Sequence, residues 1–157
     1  MDGPPRYLYH GTSARARASI AEHGLDDRRA RRRKYMQPRP EWGGERRPLG
    51  NYLYRHEFAA RAFADKNVPA GSAIDVWVVD ASDLELVRDP EPYGDSWYAA
   101  EPVPRERVLG IRWTNDAEIC WREDRLEGGV FDPTSDCFRA LEPEPAEAAI
   151  EPSPLEL

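Results

Sequence analysis

Lysine is nearly absent from this chain: of 22 basic residues only Lys34 and Lys66 are lysines, an arginine bias that points to a GC-rich bacterial genome. Histidine and cysteine are scarce as well. Three histidines (His10, His23, His56) and two cysteines (Cys120, Cys137) show no paired metal-ligand spacing, which argues against a zinc site, so no metal is expected. Two unpatterned thiols read as small buried hydrophobes rather than a disulfide. No apolar run is long enough to cross a bilayer, and MDGPPRYLYH has no basic flank followed by an apolar signal core. A cytoplasmic protein with no membrane partner is therefore expected. There is also no Walker lysine, no GxGxxG after a strand, no GxSxG nucleophile turn and no internal repeat.

What the chain does have is aromatic area and a lopsided charge. At 157 residues it can hold one core but not two ordinary domains, and five Trp, seven Tyr and four Phe supply the surface to bury. The net charge of −7 conceals an asymmetry: residues 1–66 carry 15 Lys/Arg and 8 Asp/Glu, residues 67–157 carry 7 and 21. Such a basic half on an acidic protein suggests a localised anion site, with solvated surface charge as the plain alternative.

Along the chain, residues 1–6 read as a disordered N-terminus and YLYH (7–10) as a buried aromatic strand. Thr12 and Ser13 are placed to cap a helix over 14–23, which Gly24 would end and His23 help to close. Residues 26–48, with RRARRRK, three prolines and Gly43-Gly44, form a long loop, of the kind that is functional or disordered. GNYLY (50–54) is a second strand. HEFAARAFADK (56–66) is a helix whose apolar face is Phe58, Ala59, Ala62 and Phe63, with His56 exposed at its start. AIDVWVVDAS (73–82) is the strongest strand, LELV (84–87) extends it after a turn, and 88–96 is a loop. Residues 97–113 read as strand, proline turn, strand; 117–123 as an edge strand or short helix; and the stretch to about 141 carries only a weak signal, an accessory segment of the same domain (115–141). The acidic, proline-rich tail, residues 142–157, cannot bury a core and reads as disordered. The whole is an α+β pattern with strands dominating its second half.

Three segments gain weight from their order: YHGTS (9–13), GNYLYRHEFAARAFA (50–64) and WYAAEPVPRERV (97–108). In that order they resemble the ADP-ribosyltransferase fold family, over about residues 7–113, and most closely its small bacterial members, rifamycin-inactivating or toxin-type. The resemblance implies split antiparallel β-sheets with flanking helices in a domain over 7–114, NAD⁺ as substrate, and transfer of ADP-ribose to an acceptor: nucleic acid, a small molecule or a protein. It also implies that an antitoxin or immunity protein could be a partner, and a role in antibiotic resistance. By the resemblance His10 would bond the adenosine-side ribose, Gly11 would let backbone approach the nicotinamide amide, Thr12 or Ser13 would assist there, and Tyr52 would stack on the ring, with Tyr54 on the same strand face lining the cleft. A carboxylate would stabilise the oxocarbenium-like charge on the ribose, and both Glu101 and Asp89 are candidates.

The basic run Arg28, Arg29, Arg31, Arg32, Arg33 and Lys34 would attract a pyrophosphate or a nucleic-acid backbone, since each guanidinium pairs with phosphate through a two-pronged fork. An RNA 2′-phosphotransferase-like NAD⁺ enzyme and a catalytically silent member that binds nucleotide or a partner are the alternative readings.

Overall fold

The computed structural model of the chain describes residues 3–26, 50–89 and 95–142. Within them the expected α+β character holds, as one antiparallel sheet of eight strands with three helices against it. The strands are β1 (Tyr7–Ser13), β2 (Asn51–Tyr54), β3 (Ile74–Asp80), β4 (Val87–Arg88), β5 (Ser96–Ala99), β6 (Val108–Thr114), β7 (Gly129–Asp132) and β8 (Cys137–Ala140), in the order β4-β5-β2-β1-β3-β6-β7-β8. The helices are α1 (Arg17–His23), α2 (Glu57–Asn67) and α3 (Ala117–Cys120).

The expected split pair of sheets is instead one continuous sheet. β1 and β3 pair over seven residues, from Tyr7 opposite Asp80 to Ser13 opposite Ile74, while β1 and β2 share a single register pair, Tyr9 opposite Tyr54. Beyond that pair the two strands diverge, and the His10 Nδ1 atom lies 3.0 Å from the Tyr52 carbonyl oxygen. A carbonyl can only accept, so Nδ1 carries the proton and donates across the widening gap.

Strand alternation gives the sheet two differently built faces. Leu8, Leu53, Trp77, Val79, Trp97, Ile111 and Phe131 form the larger core with α1 and α3. Tyr52, Tyr54 and Val76 form the smaller one with Ala60 and Phe63 of α2, flanked by Tyr9, Tyr98 and Trp113. α1 ends where its sequence dictates but begins at Arg17, three residues later than expected and without a side-chain cap of its own. The Ser13 side chain accepts from the Arg15 backbone N–H in a short 3-10 turn that leads into the helix, and Gly24, at φ 76°, closes it with its N–H on the Ile20 carbonyl.

The apolar face of α2 differs from expectation. Ala60, Phe63 and Ala64 are its buried residues, while Phe58 is 70% exposed and stacks on the exposed His56 at 5.3 Å. The rotation follows from Gly11: the missing side chain admits the Ala60 backbone so closely that a Cβ there would lie 2.1 Å from the Ala60 carbonyl oxygen. Residues 117–123 begin with the helix α3, capped by the Asp116 side chain, rather than an edge strand. Residues 84–87 contribute only Val87 to the two-residue β4.

The weak stretch before residue 141 holds two strands that the sequence pattern missed. β7 and β8 pair from Gly129 opposite Ala140 to Asp132 opposite Cys137, around a turn in which Asp136 adopts φ 53°. The Asp132 carboxylate organises that turn by accepting from the Thr134 N–H at 3.0 Å and the Thr134 hydroxyl at 2.5 Å.

Two aspartates tie stability to acid pH. Burial pushes the Asp132 carboxyl up, but the hydrogen bonds from Thr134 and the charge of Arg139 outweigh it and hold it below the ordinary carboxylate value. Asp80 follows the same pattern: burial raises it, while Ser82, Arg6 and Arg107 together bring it lower. A carboxyl held low in the folded state stabilises the fold above its unfolded value of 3.8, and that stability is lost as pH falls through the folded value. Urea denaturation from about pH 6 down to about pH 3 is expected to show falling stability, with a shallower fall in the double variant Asp80→Asn/Asp132→Asn. Equal slopes for the two proteins would remove these carboxyls from the acid limb.

Candidate functional site

The sequence-predicted residues divide between the two faces of the sheet. His10 and Thr12 lie on the face of the larger core, since the same β1 alternation gives Leu8 to that core and Tyr9 to the other. Both are buried. Tyr52 and Tyr54 lie on the α2 face, where the Tyr52 ring sits 6.1 Å from Phe63 and 5.7 Å from Tyr98. His10 thus touches the backbone of Tyr52 while the two side chains point to opposite sides.

Gly11 has no open space over its missing side chain. Ala60 occupies it, with the carbonyl carbon 2.8 Å and the Ala64 Cβ 3.0 Å from where a Cβ would stand. Ser13 caps the turn after β1, as described. The two candidate acids differ sharply in setting. Asp89 is 2% exposed, accepts from the Ser96 hydroxyl at 3.2 Å, and adjoins Ser96, the register partner of Tyr54. Glu101 is exposed in the bend after β5 and takes no hydrogen bond or ion pair among the described residues. Tyr52, Tyr54 and Asp89 therefore share one face, and the structure does not gather Glu101 with them. The basic run 28–34 lies outside the described residues, as does the tail from 143.

Sequence reasoning missed the densest polar cluster among the described residues. Arg17, at the start of α1, donates from Nε to Asp75 Oδ2 and from Nη2 to Asp75 Oδ1, both at 2.6 Å, and from Nη1 to Asp116 Oδ2 at 2.7 Å. Thr114 adds its hydroxyl to Asp75 Oδ1 at 2.6 Å. Burial would lower the Arg17 pKa, but the bonds and charges of Asp75 and Asp116 outweigh it, so the guanidinium is held charged even more firmly than usual. A buried-strand aspartate, Asp75 in the second position of the apolar run IDVWVVD, is the one signal that could have pointed to such a partner.

The thiols complete the chemistry. Cys120 donates its S–H to the Thr114 carbonyl at 3.1 Å, and burial, Glu123 and Asp116 push its pKa up. This is the wrong direction for a thiolate nucleophile, which needs positive surroundings. Cys137 is free and exposed at the start of β8. Among the described residues no cluster of His, Cys, Asp and Glu is arranged to hold a metal, and no helix is long and apolar enough to cross a membrane.

No protein-family model matches the chain. It is similar to the protein-glutamine gamma-glutamyltransferase of Pseudomonas aeruginosa, with 34% identity over 83 residues, a stretch that is 50% of this chain and 12% of that protein. The matched half of the chain thus spans only a small part of that relative's length. The finding overturns the resemblance to ADP-ribosyltransferases and the NAD⁺-dependent transfer of ADP-ribose expected from it, together with the toxin, antibiotic-resistance and RNA 2′-phosphotransferase readings: the matched protein is named for a different transfer reaction. The motifs misled for a physical reason. A histidine before a glycine and a tyrosine in a short strand are also what a packed seam between β1, β2 and α2 requires.

Proposed function

We propose that this chain is a polypeptide-binding module that pairs an extended partner segment along the open edge of β8 and carries out no acyl transfer through its own thiols. The observation that carries this reading is the edge itself: Cys137–Ala140 is exposed at all four residues and, among the described residues, has a sheet neighbour, β7, on one side only. An edge strand presents a row of N–H and C=O groups to which another chain can add by main-chain pairing. Phe138 would give the added strand an apolar contact, being 39% exposed on the face it shares with Phe131. Arg139, held by the Leu109 carbonyl and Asp132, places a charge on the same strand, a device that discourages pairing between identical edges. The likeness to an enzyme named for modifying protein glutamine supports a polypeptide partner, and the raised pKa of Cys120 supports the absence of thiol catalysis.

That likeness also favours a second reading, acyl transfer through Cys137, the exposed thiol. One assay separates the two. Incubating the chain with a fluorescent primary amine and a glutamine-rich protein is expected to give no labelling above a blank. Labelling that disappears in Cys137→Ser would overturn the binding-module reading and establish the enzyme. For the binding itself, decapeptides selected against the chain are expected to slow hydrogen exchange of the β8 amides by about tenfold or more, as added ladder hydrogen bonds require. Protection confined to other strands would sink it.

A further inference from the structure

The edge strand β8 has two faces of different chemistry. Phe138 stands opposite Phe131 and so lies on the face of the larger core, while alternation turns Cys137 and Arg139 to the other face. The Phe138 ring is held by a missing side chain on the neighbouring strand. A Cβ built on Gly129 would fall within 2.7 Å of the ring Cε2 atom and closer still to Cζ, so the far end of the ring fills the space a Gly129 side chain would take. The ring therefore leans inward over β7, and at 39% exposure it is within reach of a side chain added opposite it.

The other face carries Arg139, whose charge is only half answered. Its side chain is 51% exposed, donates from Nη2 to the Leu109 carbonyl and lies 3.6 Å from Asp132 Oδ2, while Arg105 lies 3.8 Å from Oδ1 of the same carboxylate. Among the described residues one carboxylate thus serves two guanidinia, and it accepts from Thr134 as well. The bond to a carbonyl satisfies a donor without neutralising its charge. An added segment with Lys or Arg on this face meets like charge, and one with Asp or Glu meets the opposite. Unlike charges on neighbouring strands favour pairing and like charges oppose it.

We propose that the β8 edge selects extended segments in which large apolar residues alternate with acidic ones, an apolar side chain meeting the Phe138 ring and the acids lying on the face of Arg139. The edge imposes the period of two: consecutive residues of an added strand fall on opposite faces, so a segment without that alternation puts an acid or an apolar residue on the wrong face in any register. This selectivity rests on the edge-pairing role of β8 proposed above and names the class of polypeptide the edge takes.

The test is an NMR titration of the full chain with three acetylated and amidated heptapeptides: one alternating glutamate with leucine, one with lysine in place of glutamate, and one with serine in place of leucine. The first is expected to bind and to slow hydrogen exchange of the β8 amides. The serine peptide should bind about tenfold more weakly, for want of apolar burial on the ring. The lysine peptide should bind about threefold more weakly, the scale of one reversed cross-strand charge. In about 1 M salt the lysine gap should close and the serine gap remain. Phe138→Ala is expected to bind the leucine and serine peptides equally and Phe138→Leu to keep the preference, which separates a lost apolar contact from a disturbed hairpin. Arg139→Gln should narrow the gap between the glutamate and lysine peptides. Equal protection of β8 by all three peptides would overturn the selectivity and leave edge pairing standing. Protection by none of them would overturn it too; selected decapeptides that still protect β8 would then spare edge pairing, and their failure would remove both.

Discussion

Gly11→Ala is expected to be among the most damaging single-methyl changes this fold can suffer, with a loss of about 3 kcal/mol or more, the upper end of what overpacking costs. The added Cβ would stand 2.1 Å from the Ala60 carbonyl oxygen and 2.8 Å from its carbon, which are backbone atoms of a helix. No rotamer change relieves such a contact. α2 would have to move off the sheet as a body, opening the cluster of Tyr52, Tyr54, Phe63 and Val76 that it covers. For a domain of this size, that loss corresponds to a drop of about 10 °C in the thermal midpoint, measurable by circular dichroism. The companion variant Gly11→Ala/Ala60→Gly is expected to stay as unstable, because the clash is with a carbonyl group that glycine keeps. Rescue by Ala60→Gly would show that the side chain, and not the backbone, sets the approach of α2 to β1.

Asp75→Ala is expected to cost about 3–5 kcal/mol in urea denaturation, the range for removing one partner of a buried ion pair. Asp75 is fully buried and receives two bonds from Arg17 and one from Thr114, so its loss leaves a mostly buried guanidinium with only Asp116 to answer it. Arg17→Ala should cost a similar amount, since the carboxylate would then be the uncompensated charge at the same site. The double variant Arg17→Met/Asp75→Leu is expected to regain much of the loss, because the penalty comes from leaving a charge unpaired more than from losing the pair. A loss under about 1 kcal/mol in Asp75→Ala, the scale of an exposed pair, would show that solvent reaches the network.

Local chemistry carries its own instructions in several elements. The hydrophobic run of β3 needs no partner to read as a strand, and Ser13 starts the turn that leads into the first helix while Gly24 ends that helix, because capping and left-handed closure are decided within a few residues. β7 and β8 escaped notice because each is only four residues long and β8 is exposed throughout, so neither shows an alternation strong enough to stand out. The buried face of α2 departs from its apolar pattern for a different reason. Phe58 and Phe63 both suit an apolar stripe, and only the approach of the Ala60 backbone to Gly11 decides which of them turns inward.

The candidate site shows the same division. His10, Gly11 and Tyr52 were legible as residues of interest, since a histidine and a glycine at a strand end and tyrosines before a helix are chemically conspicuous. Their relation was not, because it depends on register. Once Tyr9 stands opposite Tyr54, alternation sends the His10 and Tyr52 side chains to opposite faces, and no local property of either segment could have shown that. The sequence by itself determined the α+β character, the principal strands and helices and the C-terminal end of α1, all of which depend on neighbours a few positions apart. The tertiary structure alone decided the single sheet and the Arg17–Asp75 pairing across 58 residues of chain. Both depend on strand register, which the packing of distant segments settles.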